Sequence, residues 1–114
     1  MDEQARFRTV VNRSYYGPLL TLKSRIESTR GAGVFPGKET HSKIRRILRD
    51  SRVGHLLKIE KELGALAELR EEADYELARP DYNRQDVEEV LQRGRKLLGE
   101  IGAAPQARLD SLRL

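Results

Sequence analysis

The sequence predicts an all-α fold, drawn as an up-down antiparallel bundle of four helices. Three observations predict it. Apolar residues recur at steps of three and four along most of the chain, which is the helical period. No β-branched alternating run competes with that pattern. The breaks between periodic segments carry Gly and Pro, and short connections favour antiparallel neighbours.

The first helix is expected over residues 3–29, from Phe7, Val10, Val11, Tyr15, Leu19, Leu22 and Ile26. "RGAGVFPGKE" ends it, because its glycines and proline cannot sustain regular structure. Thr40 or Glu39 opens the second helix, which buries Ile44, Ile47 and Leu48 and stops near Ser51–Gly54. The third takes Leu56, Ile59, Leu63, Leu66 and Ala73 until "ARPDYN", where Pro80 disfavours a helical residue before it. Asn83 or Asp81 caps the fourth. Its stripe of Val87, Val90, Leu91, Gly94, Leu97, Leu98 and Ile101 is the cleanest in the chain, and Gly94 on the stripe implies close helix–helix contact. Residues 1–102 are thus one helical domain, with 103–114 a loosely held C-terminal extension in which Leu109, Leu112 and Leu114 are available to dock.

With 114 residues the chain has room for one modest core. Charged residues make up 35%, which suits helices with a single buried stripe and solvated outer faces. Cysteine is absent, so disulfides and thiolate metal sites are excluded. Two separated histidines, His41 and His55, do not make a metal site, and no phosphate-cradling glycine loop is present, so no cofactor is expected. No apolar run reaches the ~18 residues of a membrane span, and "MDEQARFR" lacks the signal-peptide pattern. The expected compartment is the cytoplasm.

Charge is unevenly placed. Residues 38–58 carry seven Lys/Arg against Glu39 and Asp50, whereas 59–81 carry three against eight Asp/Glu. The two blocks either pair within the fold, or offer a basic surface to phosphate and an acidic one to a partner. Arg45, Arg49 and Arg52 share one helical face, a stripe suited to RNA phosphates.

The most unusual stretch is "NRSYYGPLL", residues 12–20. Pro18 inside a helix leaves the carbonyl of Ser14 without its amide partner and typically costs ~3 kcal/mol or more. Gly17 adds about 1 kcal/mol relative to Ala. The pair is either tolerated for packing or shapes the backbone beside a polar site built on Arg13 and Tyr16. Tyr15 falls on the apolar stripe and belongs to the core.

This stretch resembles the Arg-x-Tyr-Tyr helix of small prokaryotic HEPN-domain proteins (higher eukaryotes and prokaryotes nucleotide-binding). Three further segments follow in that family's order: "THSKIRRIL" (40–48), "LREEADYE" (69–76) and "DVEEVLQRGRKLL" (86–98). The resemblance implies a helical bundle that usually dimerises, often acts as a metal-independent ribonuclease in toxin–antitoxin or defence systems, and is often partnered by a minimal nucleotidyltransferase. It also makes Tyr16 an RNA-facing or modifiable position. The family's nuclease signature is Arg, four to six residues, then His. Counted from Arg13, the His positions hold Pro18, Leu19 and Leu20. Arg13 can supply a cation to the phosphorus but stays protonated, so it cannot be the base.

A substitute base must be His41 or His55. Arg13 lies about 24 Å from the end of the first helix. In an antiparallel hairpin His41 opens the next helix at that far end, near Asp74 and Tyr75, while His55 returns level with Arg13. Arg13, Tyr16 and His55 are therefore the expected catalytic residues. The alternative is a noncatalytic helical module that dimerises and binds a protein partner, as the missing His and the acidic third helix would suit.

Overall fold

The computed structural model describes residues 3–28, 30, 31, 35, 40–75 and 83–114, the side chains of residues 3, 4, 74 and 75 excepted. The fold is all-α: α1 (Glu3–Glu27), α2 (Thr40–Asp50), α3 (Gly54–Tyr75), α4 (Arg84–Ala103) and the short α5 (Gln106–Asp110). The core residues follow the sequence periodicity. Phe7, Val11, Tyr15, Leu19, Leu22 and Ile26 are buried from α1, and Leu56, Ile59, Leu63 and Leu66 meet them from α3. Among the described residues no helix is long and apolar enough to cross a membrane.

Asn83 starts α4 as its N-cap. Its side chain accepts from the Asp86 amide at 3.1 Å, and the Asp86 carboxylate accepts from the Asn83 amide at 2.8 Å. This reciprocal box satisfies two amides that the first turn would otherwise leave open. Asp81, the other candidate cap, lies outside the described residues.

The order of helix directions departs from the expected up-down alternation. Ser14 sits against Gly94, and eleven residues later Arg25 binds the carbonyl of Ile101, so α1 and α4 run parallel. Glu62 pairs with Arg93 and Lys58 with Glu100, so α3 runs against both. In α2, His41 meets the α1 residue that binds Arg70, and Arg45 meets Glu60, so α2 also opposes α3 and runs parallel to α1. The resulting order is up, up, down, up. The connection is long enough to permit it. Twelve residues separate Glu27 from Thr40, above the usual two to eight between antiparallel neighbours. A chain of that length can span up to ~40 Å, more than enough to retrace the C-terminal half of α1. The main packing pairs are accordingly α1 with α4 and α3, and α2 with α3.

Residues 103–114 are tied to α1. Arg25 donates to the carbonyls of Ile101 and, at 2.7 Å, Ala104, and Gln106 donates back to the Arg25 carbonyl at 2.9 Å. Arg30 donates to the carbonyls of Asp110 and Leu112. Leu109 and Leu112 are buried, whereas Leu114 is exposed. Arg25 thus adds a second donor to the Ile101 carbonyl, which the Ala104 amide already reaches at 3.2 Å, and takes up the Ala104 carbonyl, as Arg30 does those of Asp110 and Leu112.

α1 continues unbroken through Gly17 and Pro18. Its close approach to α4 depends on Gly94, where an added Cβ would lie 2.7 Å from both Cβ and Oγ of Ser14. Gly99, one turn further along α4, faces open space. Gly94→Ala is therefore expected to destabilise by about 1–2 kcal/mol, overpacking outweighing the gain in helix propensity. Gly99→Ala is expected to stabilise by about 0.5–1 kcal/mol. Urea unfolding of the two variants checks this. Equal effects would show that α1 and α4 do not pack at Gly94.

Candidate functional site

Side chains from three helices meet beside the Tyr15–Tyr16 pair. From α2, the His41 ring stands edge-on to Tyr16 with centroids 5.2 Å apart and to Tyr15 at 5.8 Å. From α3, Arg70 donates from Nη1 to the Tyr16 hydroxyl. The Arg70 guanidinium carbon lies 5.3 and 5.1 Å from the centroids of Tyr15 and Tyr16. Tyr15 is buried, while Tyr16, His41 and Arg70 are each partly exposed. A cation against two ring faces and a charged donor on a phenol reinforce each other in a partly desolvated setting.

Two protonation equilibria respond. Burial, followed by the charge of Arg70, pushes the His41 imidazole below its ordinary value. Burial also raises the Tyr15 phenol, against the lowering pull of Arg70 and Arg45. His41 is therefore neutral near pH 7. Neither of its ring nitrogens bonds a described residue. An available neutral imidazole can take a proton, Arg70 can stabilise negative charge, and Tyr16 still has a hydroxyl proton to give.

The sign of the His41 shift makes a pH prediction. A depressed folded value means that the unfolded chain binds the proton more tightly, so stability rises with pH. The contribution is complete above the unfolded imidazole value of about 6.5 and is lost as pH falls through the lower folded value. Unfolding free energies at pH 7.5 and 5.5 should differ less in His41→Asn than in wild type. An identical loss in both would show that His41 titrates normally.

The expected site residues separate into two groups. Tyr16 belongs to the cluster. Arg13, exposed one turn before it, has no hydrogen-bond or ion-pair partner among the described residues. Residues spaced by three on a helix hold their Cβ atoms about 5–6 Å apart, but Arg13 lines the hollow against α4 with Pro18, Leu91 and Leu98, to one side of the cluster. His55 does not return level with Arg13. Its Nε2 is 2.8 Å from the carbonyl of Glu100, donating to an open carbonyl near the C-terminus of α4. Glu100 is six residues, or ~9 Å of helix rise, beyond the Gly94 that touches Ser14. His41 takes the place expected of His55, because α2 runs parallel to α1 and starts beside its middle. The Asp74 side chain lies outside the described residues.

The expected phosphate stripe is only partly available. Arg45 pairs with Glu60 at 3.3 Å and lies over Gly64, and Arg49 is 3.8 Å from the same carboxylate. At these points the basic and acidic blocks neutralise each other within the fold. Arg49 keeps 60% of its side chain exposed, so it remains accessible to an anion. Arg52 is exposed beyond the end of α2, with a left-handed backbone at φ 58°.

Sequence reasoning missed Arg70 as a site residue and placed His41 at the wrong level. The "LREEADYE" segment held the signal for Arg70, but helical period alone does not reveal which residue of α3 meets Tyr16. Among the described residues, no three metal-ligating side chains of His, Cys, Asp or Glu type group together. In comparisons with known proteins, the chain matches no family model, no curated protein and no solved structure.

Proposed function

We propose that this chain is an RNA-acting module of HEPN type, a four-helix bundle with a short fifth helix, whose working centre is the Tyr16–His41–Arg70 cluster, with Arg13 one turn before Tyr16 on the α4 side of α1. The observation that carries the reading is the open, neutral imidazole of His41 held beside a guanidinium and a phenol. His41 takes the proton of a ribose 2′-hydroxyl, and the oxygen attacks the adjacent phosphorus. Arg70 and Arg13 stabilise the charge on the phosphoryl oxygens. Tyr16 gives its proton to the departing 5′-oxygen, leaving a 2′,3′-cyclic phosphate and a 5′-hydroxyl. The degenerate Arg-x(4–6)-His signature is then replaced by a His from another helix.

The test incubates total cellular RNA with purified wild type, His41→Ala and Arg13→Ala in EDTA and reads fragments on a gel. Wild type should cleave, with His41→Ala slower by roughly 10²–10⁴-fold, the usual size of a general-base contribution. Equal cleavage by His41→Ala would remove it as the base. No cleavage by wild type would leave the second reading, a noncatalytic module that forms a homodimer and docks a protein such as a minimal nucleotidyltransferase. That reading draws on the exposure of Leu20 and Leu98, the latter beside an open hollow of about 180 Å³ with Pro18 and Leu91.

A further inference from the structure

One costly residue of α1 is not explained by packing within the chain. A Cβ at Gly17 would meet nothing within 4 Å among the described residues, whereas one at Gly94 would strike Ser14. Glycine in a helix interior is disfavoured relative to alanine, so Gly94 has an internal reason and Gly17 has none. Above Gly17 lies the open hollow of about 180 Å³ between α1 and α4. Pro18, Leu91 and Leu98 line it together with Arg13 and Arg95.

Two stripes run side by side at this place. Arg13, Gly17 and Leu20 share one face of α1 at helical spacing, as Leu91, Arg95 and Leu98 do on the parallel α4. Leu20 and Leu98 are 55% and 43% exposed, and both arginines are exposed. Neither arginine has a hydrogen-bond or ion-pair partner among the described residues. No carboxylate lines the hollow. The result is an apolar groove with an unpaired guanidinium on each bank.

We propose that this groove docks an acidic amphipathic helix of a partner protein, with an apolar side chain entering the hollow over Gly17 and carboxylates meeting Arg13 and Arg95. The proposal rests on the docking half of the second reading above and names the chemistry of its partner. The hollow is smaller than the usual small-ligand site of about 300–1,000 Å³ and suits a single side chain. Helices offer no free backbone edge to pair with a strand, so recognition here follows the helix-in-groove mode. A second copy would bring the same guanidiniums face to face with no carboxylate between them, and like charges disfavour that pairing. No aromatic side chain lines the hollow to stack a nucleic-acid base.

Fluorescence anisotropy tests this with a synthetic helical peptide longer than ~15 residues, carrying a leucine stripe flanked by glutamates, and with its lysine counterpart. The variants are Gly17→Leu and Arg95→Glu, because Arg13 is shared with the proposed RNA centre. The glutamate peptide should bind wild type about tenfold or more tighter than the lysine peptide. Gly17→Leu should weaken it about tenfold. That variant should still melt at or above the wild-type temperature, since leucine is the better helix former and the space is open. Arg95→Glu should reverse the preference and bind the lysine peptide better than wild type does. An arginine that served only the fold would leave the preference unchanged. The proposal is overturned if the glutamate peptide does not bind, or binds no tighter than the lysine peptide. Binding unchanged in both variants overturns it too, by placing docking elsewhere on the chain while the second reading stands. A wild-type dimer in sedimentation equilibrium that Gly17→Leu dissociates would assign the groove to a second copy and overturn it as well.

Discussion

Arg70→Ala is expected to lower the melting temperature by roughly 10 °C and, under the proposed ribonuclease reading, to suppress RNA cleavage by about 10²–10³-fold. The side chain makes a charged hydrogen bond to the Tyr16 hydroxyl and faces the rings of both Tyr15 and Tyr16. A bond of the first kind contributes about 1.5–3 kcal/mol, and each ring contact about 0.5–1 kcal/mol at a partly exposed site. These interactions share one guanidinium, so their joint loss is put at about 3 kcal/mol rather than treated as independent contributions. Arg70→Lys should recover only part of it, because an ammonium lacks the planar fork that spans two rings and a hydroxyl. Tyr16→Phe separates the contributions: it removes the hydroxyl bond and keeps both ring faces, so it should cost about 1.5–3 kcal/mol. Thermal melts and a double-mutant cycle between residues 16 and 70 measure the coupling. If Arg70→Ala melts within a degree of wild type, Arg70 does not hold the cluster together.

The second large effect belongs to Arg25. Its guanidinium donates to the Ile101 and Ala104 carbonyls at the end of α4 and, at 3.2 Å, to the Gln106 side chain. Ile101 and Ala104 are themselves buried, so water cannot readily replace the donor. Leaving a buried acceptor unsatisfied costs about 1–3 kcal/mol; the Ile101 carbonyl keeps the Ala104 amide at 3.2 Å, so Arg25→Ala opens the Ala104 carbonyl alone and is expected to cost about 1–3 kcal/mol. The loss should also release residues 104–114, since Gln106 and α5 dock on the same end of α1. Limited proteolysis should cut this segment faster in Arg25→Ala than in wild type, and urea unfolding should show the drop in stability. Unchanged proteolysis with reduced stability would place the effect within α4 alone. Unchanged stability would remove Arg25 as the cap.

The helices and most of the core were legible from spacing alone. Every apolar position named for α1 except Val10 is buried, as are the named positions of α2 and α3. Gly94 announced its close contact because a glycine on an otherwise apolar stripe has no propensity reason to be there. Arg13 and Tyr16 were visible because Gly17 and Pro18 mark a costly stretch of helix beside them. His55 was misplaced for one reason: the position of each histidine was inferred from the direction of α2. His41 lies beside Tyr16 because α2 runs parallel to α1, and Arg70 reaches the same point because α3 runs against both.

By itself, then, the sequence determined the all-α class, most of the faces that become buried, two candidate N-caps for α4 and the helical turn that carries Arg13 and Tyr16. These depend on local period, on capping and on the backbone limits of Gly and Pro, all of which act over a few residues. Only the tertiary structure decided that α2 retraces α1, that Arg45 is taken up by Glu60, and that His41 rather than His55 meets Arg70 and Tyr16. A twelve-residue connection permits either direction for the helix that follows it. The choice among such directions is made by packing between distant segments, and nearest-neighbour pattern does not encode it.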